Sequence, residues 1–333
     1  MMAVAEAIPR SRLKWIVPLV AAVVVLLVYP WVLGVVYINI FIYFAIFAVF
    51  AASLNMLISY TGLLSFGHAL FFGGGAYAVA MALDSIEGLG LFTSLALGGF
   101  TGAAFAFIIS PLLIRVQATA FALLTLALGQ LGYMACLKLR SITHGEDGIS
   151  GFPTPDFSFA GLFSVEMIYP QTFYYFAVIV LALCLLLMWY LTKTPFGSVM
   201  IGIRDNSQRV DFLGFNIPMT KCLVFTLSGF FAGVAGAVYA LFQNLVSPDG
   251  VFHIMTSFTP IMMVYVGGIG TFAGPVVGSA VMTVLEEVAV RFTTQLALFN
   301  GILLVLVVMY FRTGFVGLYQ KAVEKFLQKE SGR

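Results

Sequence analysis

WIVPLVAAVVVLLVYPWVLGVVYINIFIYFAIFAVFAASLNMLISYTGLLSFGHALFFGGGAYAVAMAL, residues Trp15 to Leu83, contains no Asp, Glu, Lys or Arg. A helix needs about 20 predominantly apolar residues to cross a hydrocarbon core of about 30 Å, so this stretch alone is long enough for three passages. Charge-free runs recur at Gly88 to Ile114, Val116 to Leu137, Met167 to Thr192, Cys222 to Pro248, Gly250 to Leu285 and Phe292 to Phe311. The 333 residues are 61% hydrophobic and 9% charged, against roughly 25% charged in ordinary soluble domains. A large soluble core would need polar faces and amphipathic periodicity, and both are missing. The sequence therefore predicts an all-α integral membrane protein, a polytopic bundle of eight to ten transmembrane segments.

Ten apolar segments are read, at about 15–36, 38–58, 63–83, 91–114, 117–137, 171–191, 222–246, 255–269, 272–290 and 294–311. Arg10, Arg12 and Lys14 precede the first, which marks that end as cytoplasmic by the positive-inside rule. A cleaved signal peptide fits poorly, because the first run is too long and lacks a small-residue cleavage site. An even number of crossings returns the tail, with Arg312, Lys321, Lys325, Lys329 and Arg333, to the same side. Thirteen of the 16 Lys and Arg residues are then cytoplasmic, the exceptions being Lys138, Arg140 and Arg291. The outer loops collect Asp84, Glu87, Glu146, Asp147, Asp156, Glu166 and Asp249 instead. The expected organisation is a cytoplasmic segment 1–14, a transmembrane domain 15–311 with an outer loop 138–170 and a cytoplasmic loop 193–221, and a basic tail 312–333. The eighth and ninth segments are short and Gly-rich, and form either two spans or one re-entrant pair. Cys136, Cys184 and Cys222 stand apart and read as packing residues.

Two Gly-rich interruptions, one in each half, predict broken or re-entrant helices. They are SYTGLLSFGHALFFGGGAYA, Ser59 to Ala78, and MVYVGGIGTFAGPVVGSAV, Met263 to Val281. Glycine in a membrane helix either lets helices approach closely or marks unwound backbone beside a polar pathway. Spacing of four favours packing for Gly270, Gly274 and Gly278 and for Gly229 and Gly233. The consecutive Gly73, Gly74 and Gly75, and the pair Gly267 and Gly268, read as breaks, because adjacent glycines weaken a helix by up to about 1 kcal/mol each.

Catalytic signatures are missing from the sequence. No P-loop, His-Glu-x-x-His or nucleophile elbow occurs, and His68, His144 and His253 make no metal constellation. His68, in the first interruption, is either a neutral imidazole bonding a freed backbone carbonyl or a contact for substrate or a proton. No ionisable chain lies at mid-span, which argues against proton or sodium coupling. Glu286, Glu287 and Arg291 read as a local salt-bridged helix end. The loop TPFGSVMIGIRDNSQRVDFLGFNIPMTK, Thr194 to Lys221, mixes charges with large apolar residues. Met200, Ile203 and Ser207 share a helical face that Val210, Leu213 and Gly214 continue, with Gly214 and Pro218 ending the helix. It is read as a helix on the membrane surface or as a docking element for a cytoplasmic partner.

The stretches TGLLSFGHALFFGGGAYA, THGEDGISGFP (Thr143 to Pro153), IRDNSQRVDFLGFN, LSGFFAGVAGAVYA (Leu227 to Ala240), VSPD (Val246 to Asp249) and GGIGTFAGPVVGSA (Gly267 to Ala280) occur in this order. Together they resemble the LivM-type permeases of branched-chain amino-acid ABC importers, from about residue 38 to 312. Val210 and Asp211 depart from the resemblance, since small residues are commoner there. The resemblance implies a non-enzymatic transport subunit of the bacterial inner membrane, paired with a LivH-like permease. Two cytoplasmic ATPases and a periplasmic solute-binding protein would complete the importer. No cofactor, metal or nucleic acid is implied for this chain, ATP being used by the partners. Urea, short amides and small organic acids are the alternative substrates. A secondary transporter, a passive channel and a membrane-embedded enzyme are the competing classes.

Two sets of site residues follow. Ser65, Gly67, His68, Gly73, Gly74 and Gly75 from the first break, and Gly267, Gly268, Gly270 and Thr271 from the second, are expected to meet near the bilayer midplane. Half-helix N-termini there would offer N–H groups to a substrate carboxylate. Ile203 to Gly214 is expected to form the ATPase-coupling helix. Ile203, Leu213 and Gly214 would lie on its apolar side, and Arg204, Asp205, Asn206 and Arg209 on its rim.

Overall fold

A computed structural model describes residues 26–32, 34–86, 88–116, 118–159, 163–167, 169–292, 295–310 and 314–318. The expected segment 1–14, most of the first apolar stretch and the tail beyond 318 lie outside the described residues. The long helices are α1 (Val35–Thr61), α2 (Ala69–Ser85), α3 (Leu91–Leu113) and α4 (Ala118–Lys138). A one-turn α5 (Arg140–Thr143) leads into a loop with β1 (Ile149–Ser150), β2 (Phe157–Phe159) and β3 (Phe163–Val165). Then follow α6 (Pro170–Lys193), α7 (Pro195–Phe212), α8 (Ile217–Gln243), β4 (Leu245–Val246) and a one-turn α9 (Pro248–Val251). The described chain closes with α10 (Ile254–Gly267), α11 (Gly274–Val290) and α12 (Leu296–Tyr310). Among the described residues six helical stretches are long and apolar enough to cross a membrane, and α2 is a shorter apolar helix. All nine apolar segments expected beyond the first contain a helix.

These helices are apolar on all sides, so hydrophobicity does not select which face packs inward. Small residues do, because they let backbones touch and gain dispersion contacts that lipid cannot match. Gly98 and Gly102 of α3 face Gly229 and Gly233 of α8, and Gly75 of α2 lies against the Gly233 backbone. A methyl group at Gly98 would stand 2.6 Å from Cβ of Ala237, and one at Gly236 would overlap the carbonyl of Phe72. The packing reading of Gly229 and Gly233 holds, and α2, α3 and α8 form the centre of the bundle.

Gly73, Gly74 and Gly75 are a correction. All three lie inside α2 and are buried, against the ring of Phe252, the ring of Phe105 and the Gly233 backbone respectively. Three consecutive glycines serve three neighbours around the helix instead of unwinding it.

The loop carrying β1–β3 is pinned by two motifs from distant parts of the chain. Ile149 and Ser150 pair antiparallel with Val246 and Leu245, and Gly151 N–H donates to the Asn244 carbonyl at 3.1 Å. Gly148, with φ +69°, has no room for a side chain beside the Val246 and Ser247 backbone. At the far end of α11, Glu287 pairs with Arg291 at 3.5 Å, as the sequence leads one to expect.

Candidate functional site

The first break starts where α1 ends. Gly62 takes a left-handed conformation at φ 72°. Its N–H reaches Ile58 O at 3.2 Å, and Leu63 N–H reaches Leu57 O at 3.0 Å, two bonds that satisfy carbonyls at the end of the helix. Residues 62–68 then run without helical structure into the bundle. Hydroxyl groups take up donors that no helix can use: Phe66 N–H donates to Thr125 Oγ1 at 3.1 Å and Ala69 N–H to Ser257 Oγ at 3.1 Å. Gly67 permits this approach, since any Cβ there would overlap the Thr125 carbonyl of α4.

His68 closes the break at the N-terminus of α2, fully buried. Its Nε2 lies 2.9 Å from Ser53 Oγ, and its ring stacks on Phe50 at 5.5 Å. Ser53 already donates its hydroxyl proton to Phe50 O at 2.7 Å, so the hydrogen-bond pattern assigns the proton to His68 Nε2. Nδ1 is left as a lone-pair acceptor without a partner, as is the hydroxyl of Ser65. The partner of His68 is therefore a serine hydroxyl, where a backbone carbonyl was one expectation. The space bounded by Ser65, Gly67 and Thr125 is too small for a water molecule.

The second break lies between α10 and α11. Gly268 (φ 122°) and Gly270 (φ 90°) hold conformations that L side chains rarely adopt. Gly270 has no atom within 4 Å of a would-be Cβ, so it serves the turn and not packing. Gly267 and Gly278 do serve packing, since methyl groups there would overlap the Gly274 and Met263 carbonyls and push the two helices apart. Thr271 Oγ1 accepts from Gly274 N–H at 3.1 Å and starts α11. Asn55 Nδ2 donates to Thr271 O at 3.1 Å, and Gly270 N–H donates to Ser59 Oγ at 2.9 Å.

The two breaks stand at different depths. His68 is level with Ser53 of α1, and Ala69 with Ser257 of α10. Ser53 precedes the end of α1 by eight residues, about 12 Å, and Ser257 precedes Gly267 by ten, about 15 Å. The turn 268–271 lies at the other end of that rise, beside Ser59. Gly270 thus meets α1 at Ser59, six residues or about 9 Å beyond Ser53, and Thr271 is bonded to Asn55 between the two levels. The start of α2 also has few donors to offer. The N–H groups of Ala69, Leu70 and Phe71 are bonded to Ser257 Oγ, Gly67 O and His68 O.

The polar helix α7 lies at the same end as the second break. It leaves α6 through a tight turn, where Pro195 begins the helix and a methyl at Gly197 would overlap the Thr192 carbonyl. At Asn206 the backbone becomes extended (φ −159°, ψ 96°), and Asn206 Oδ1 accepts from Arg209 N–H at 3.0 Å. Asn206 is therefore the cap of a second short turn, and the expected continuous helix Ile203–Gly214 is bent there. Pro218 starts α8, capped by Asn216 at 2.9 Å, instead of ending α7.

The apolar residues of α7 divide in two. Met200, Ile203 and Val210 are buried against the rest of the chain, so Ile203 is not an outward anchor. Phe212 and Leu213 are 91% and 70% exposed, with Phe215 beside them. Leu213, Phe215 and Val210 border a 560 Å³ groove with Pro195 and Val199. Asp205 and Arg209 lie on the surface. Arg204 does not face outward only: its Nη1 donates to the Ser59 carbonyl of α1, and its Nε and Nη2 hold Asp205 at 2.9 Å.

An apolar cavity of 440 Å³ opens between α2, α3 and α4, bordered by Leu70, Tyr77, Phe105, Leu128 and Phe252. Of the expected pathway residues it touches Gly74 alone. Reading the sequence missed Ser53, Asn55, Ser59, Thr125 and Ser257, which hold both breaks. Their signal was polarity inside an apolar run, clearest for Asn55 and Ser59 at spacing four.

The family profile described as "Branched-chain amino acid transport system / permease component" matches residues 36–311. The high-affinity branched-chain amino acid transport permease LivM of Salmonella typhimurium is 28% identical over 277 residues, covering 77% of this chain and 64% of the relative. LivM of Escherichia coli K12 is 27% identical over 324 residues, covering 91% of this chain and 75% of the relative. A probable LivH of Methanocaldococcus jannaschii is 26% identical over 246 residues, covering 71% and 75%. This chain thus spans less than two thirds of the Salmonella protein. No solved structure gives a significant match. The profile covers both Gly-rich breaks, α7 and every described membrane helix beyond the first segment, and the chain belongs to the branched-chain amino acid transport permease family.

Proposed function

We propose that this chain is the permease subunit of an ATP-driven importer for branched-chain or related small amino acids in the bacterial inner membrane. In this reading both termini and α7 face the cytoplasm, and the loop carrying β1–β3 faces outward. A LivH-like permease pairs with the chain, two ATPase subunits dock on the cytoplasmic side, and a solute-binding protein delivers substrate from outside. The relatives named LivM and LivH support the pairing and the substrate class. The observation that carries the reading is α7. It is a bent polar helix, tied to the bundle through Met200, Ile203 and Arg204, that still presents Phe212 and Leu213 to solvent. An apolar anchor rimmed by Asp205, Asn206 and Arg209 has the anatomy of a protein contact.

The first break, with Ser65, Gly67 and His68, is read as the mid-membrane part of the route. Gly267, Gly268, Gly270 and Thr271 are read as its cytoplasmic end. The unpartnered Ser65 hydroxyl and His68 Nδ1 support this, because buried polar atoms without partners are costly and gain most from a second conformation. ATP binding would bias the permease between states by moving α7.

The test is uptake of radiolabelled leucine by proteoliposomes holding the complete importer and its binding protein. Uptake is expected only with ATP inside, to survive a protonophore, and to be competed by isoleucine and valine. Uptake that ignores ATP and follows a proton or sodium gradient refutes the importer. ATP-driven uptake of urea or acetamide in place of leucine moves the substrate class.

A further inference from the structure

Arg204 of α7 is joined to the second break through two polar residues of α1, Ser59 and Asn55, which belong to neither. Ser59, in the last turn of α1, is the hub. Its carbonyl accepts from Arg204 Nη1, its hydroxyl accepts from Gly270 N–H at 2.9 Å, and the same hydroxyl donates to Asn55 Oδ1 at 2.5 Å. Asn55 completes the set by donating to Thr271 O at 3.1 Å. Asn55 and Ser59 are buried, and four residues apart they share one face of α1.

The turn 268–271 cannot satisfy these groups within a helix ladder, so α1 holds one donor and one acceptor of the turn. Arg204 is in turn aimed by Asp205, which takes Nε and Nη2 and leaves Nη1 for Ser59. Gly62 makes room for the arginine stem, which passes 3.2 Å from where its Cβ would be. A cation at the last turn of α1 also suits the negative end of the helix dipole.

We propose that Arg204, Ser59 and Asn55 form a clasp by which the position of α7 sets the conformation of the turn 268–271 between α10 and α11. They are positioning residues for the transport cycle, and none of the three needs to touch substrate. The inference rests on the reading of α7 as the ATPase-coupling element. Displacing α7 withdraws Arg204 from the Ser59 carbonyl, and Ser59 then shifts against Gly270 and Asn55. Arg204 is the outer end of the clasp and the turn its inner end.

The test uses the complete importer, with Cys136, Cys184 and Cys222 replaced and a single cysteine at Ile269, which is exposed in the turn. The rate of maleimide modification is compared without nucleotide and with ATP and vanadate. A change of about fivefold or more is expected in this parent, falling to less than twofold in Arg204→Gln and in Ser59→Ala. The ATPases should still co-purify with both variants. Arg204→Lys, which keeps one donor for the carbonyl, should restore part of the change. A parent without any nucleotide-dependent change refutes the clasp, as does a full change retained in both variants. Leu213→Asp separates the two ideas. If it leaves the ATPases bound, the docking reading falls, while the clasp is still decided by Arg204→Gln and Ser59→Ala.

Discussion

Gly98→Ala tests whether the centre of the bundle is built by backbone contact. The added methyl would stand 2.6 Å from Cβ of Ala237, with Gly233 O at 3.1 Å and Gly75 O at 3.3 Å. Carbon atoms rest at about 3.5–4.0 Å, so the first distance is short by about 1 Å. The two oxygens close the sideways escape, and α3 must retreat from α8. A retreat of that size forfeits a quarter to a half of each contact along the seam. Overpacking of this kind typically costs about 1–3 kcal/mol. The opposing term is helix propensity, which favours Ala over Gly by about 1 kcal/mol at most. The clash wins, and a net loss near 1–2 kcal/mol is expected.

Thermal unfolding in detergent, followed by thiol-reactive dye or fluorescence-detected size exclusion, reads this out. Tm should fall by several degrees, at about 2–4 °C per kcal/mol for chains of 150–250 residues. Gly301→Ala in α12 is the control, since its Cβ would meet nothing within 4 Å; its Tm should stay level or rise. The decisive variant is Gly98→Ala combined with Ala237→Gly, which removes the opposing methyl. It should recover stability relative to the sum of the single changes, because residues in contact are coupled. Gly98→Ala with a parental Tm, or no coupling with Ala237→Gly, would show that α3 and α8 do not touch as described.

Two further outcomes follow from α7. Phe212→Asp and Leu213→Asp should each cut ATPase co-purification at least tenfold while membrane insertion stays normal. Ile203→Ala, which removes a buried side chain at a cost of about 2–5 kcal/mol, should lower the Tm of the permease; equal ATPase loss without a Tm change would reverse the inner and outer faces. For topology, single cysteines at Ser150 and Gln208, both exposed, are placed in a chain without the native three. In intact cells an impermeant maleimide should label position 150 and spare position 208, and the opposite pattern overturns the orientation.

Hydropathy sums over some twenty residues, so single substitutions do not blur it, and the apolar segments were legible as helices for that reason. Glycine has no such averaging. Gly73 to Gly75 and Gly267 to Gly268 look alike in sequence, yet the first group is a packing surface, whereas in the second Gly267 packs and Gly268 opens a turn. What separates them is the neighbour: Gly75 has the Gly233 backbone against it, whereas Gly268 is followed by Gly270 with nothing beside it. The two faces of α7 were hidden for a related reason. Met200, Ile203 and Leu213 are equally apolar, and the bend at Asn206 decides which of them turns outward. Asn competes for nearby backbone N–H groups, and here it captures that of Arg209.

The polar residues within apolar runs carry the most information per residue. Each must find a partner inside the protein, because lipid supplies none. Ser53 and His68 find each other, Thr125 and Ser257 accept the freed N–H groups of Phe66 and Ala69, Ser59 accepts that of Gly270, and Asn55 donates to the Thr271 carbonyl. A spacing of four puts Asn55 and Ser59 on one face of α1, but the partner of Ser59 lies some 211 residues away. These side-chain hydrogen bonds to the breaks thus come from hydroxyls and an amide that hydropathy alone would count as flaws. The same side chains fix both interruptions in place, and the one set that also reaches the polar helix α7 runs through Ser59. A transport cycle that moves α7 relative to α1 must therefore strain or break the Arg204–Ser59 bond first, and the turn 268–271 is the next element in line.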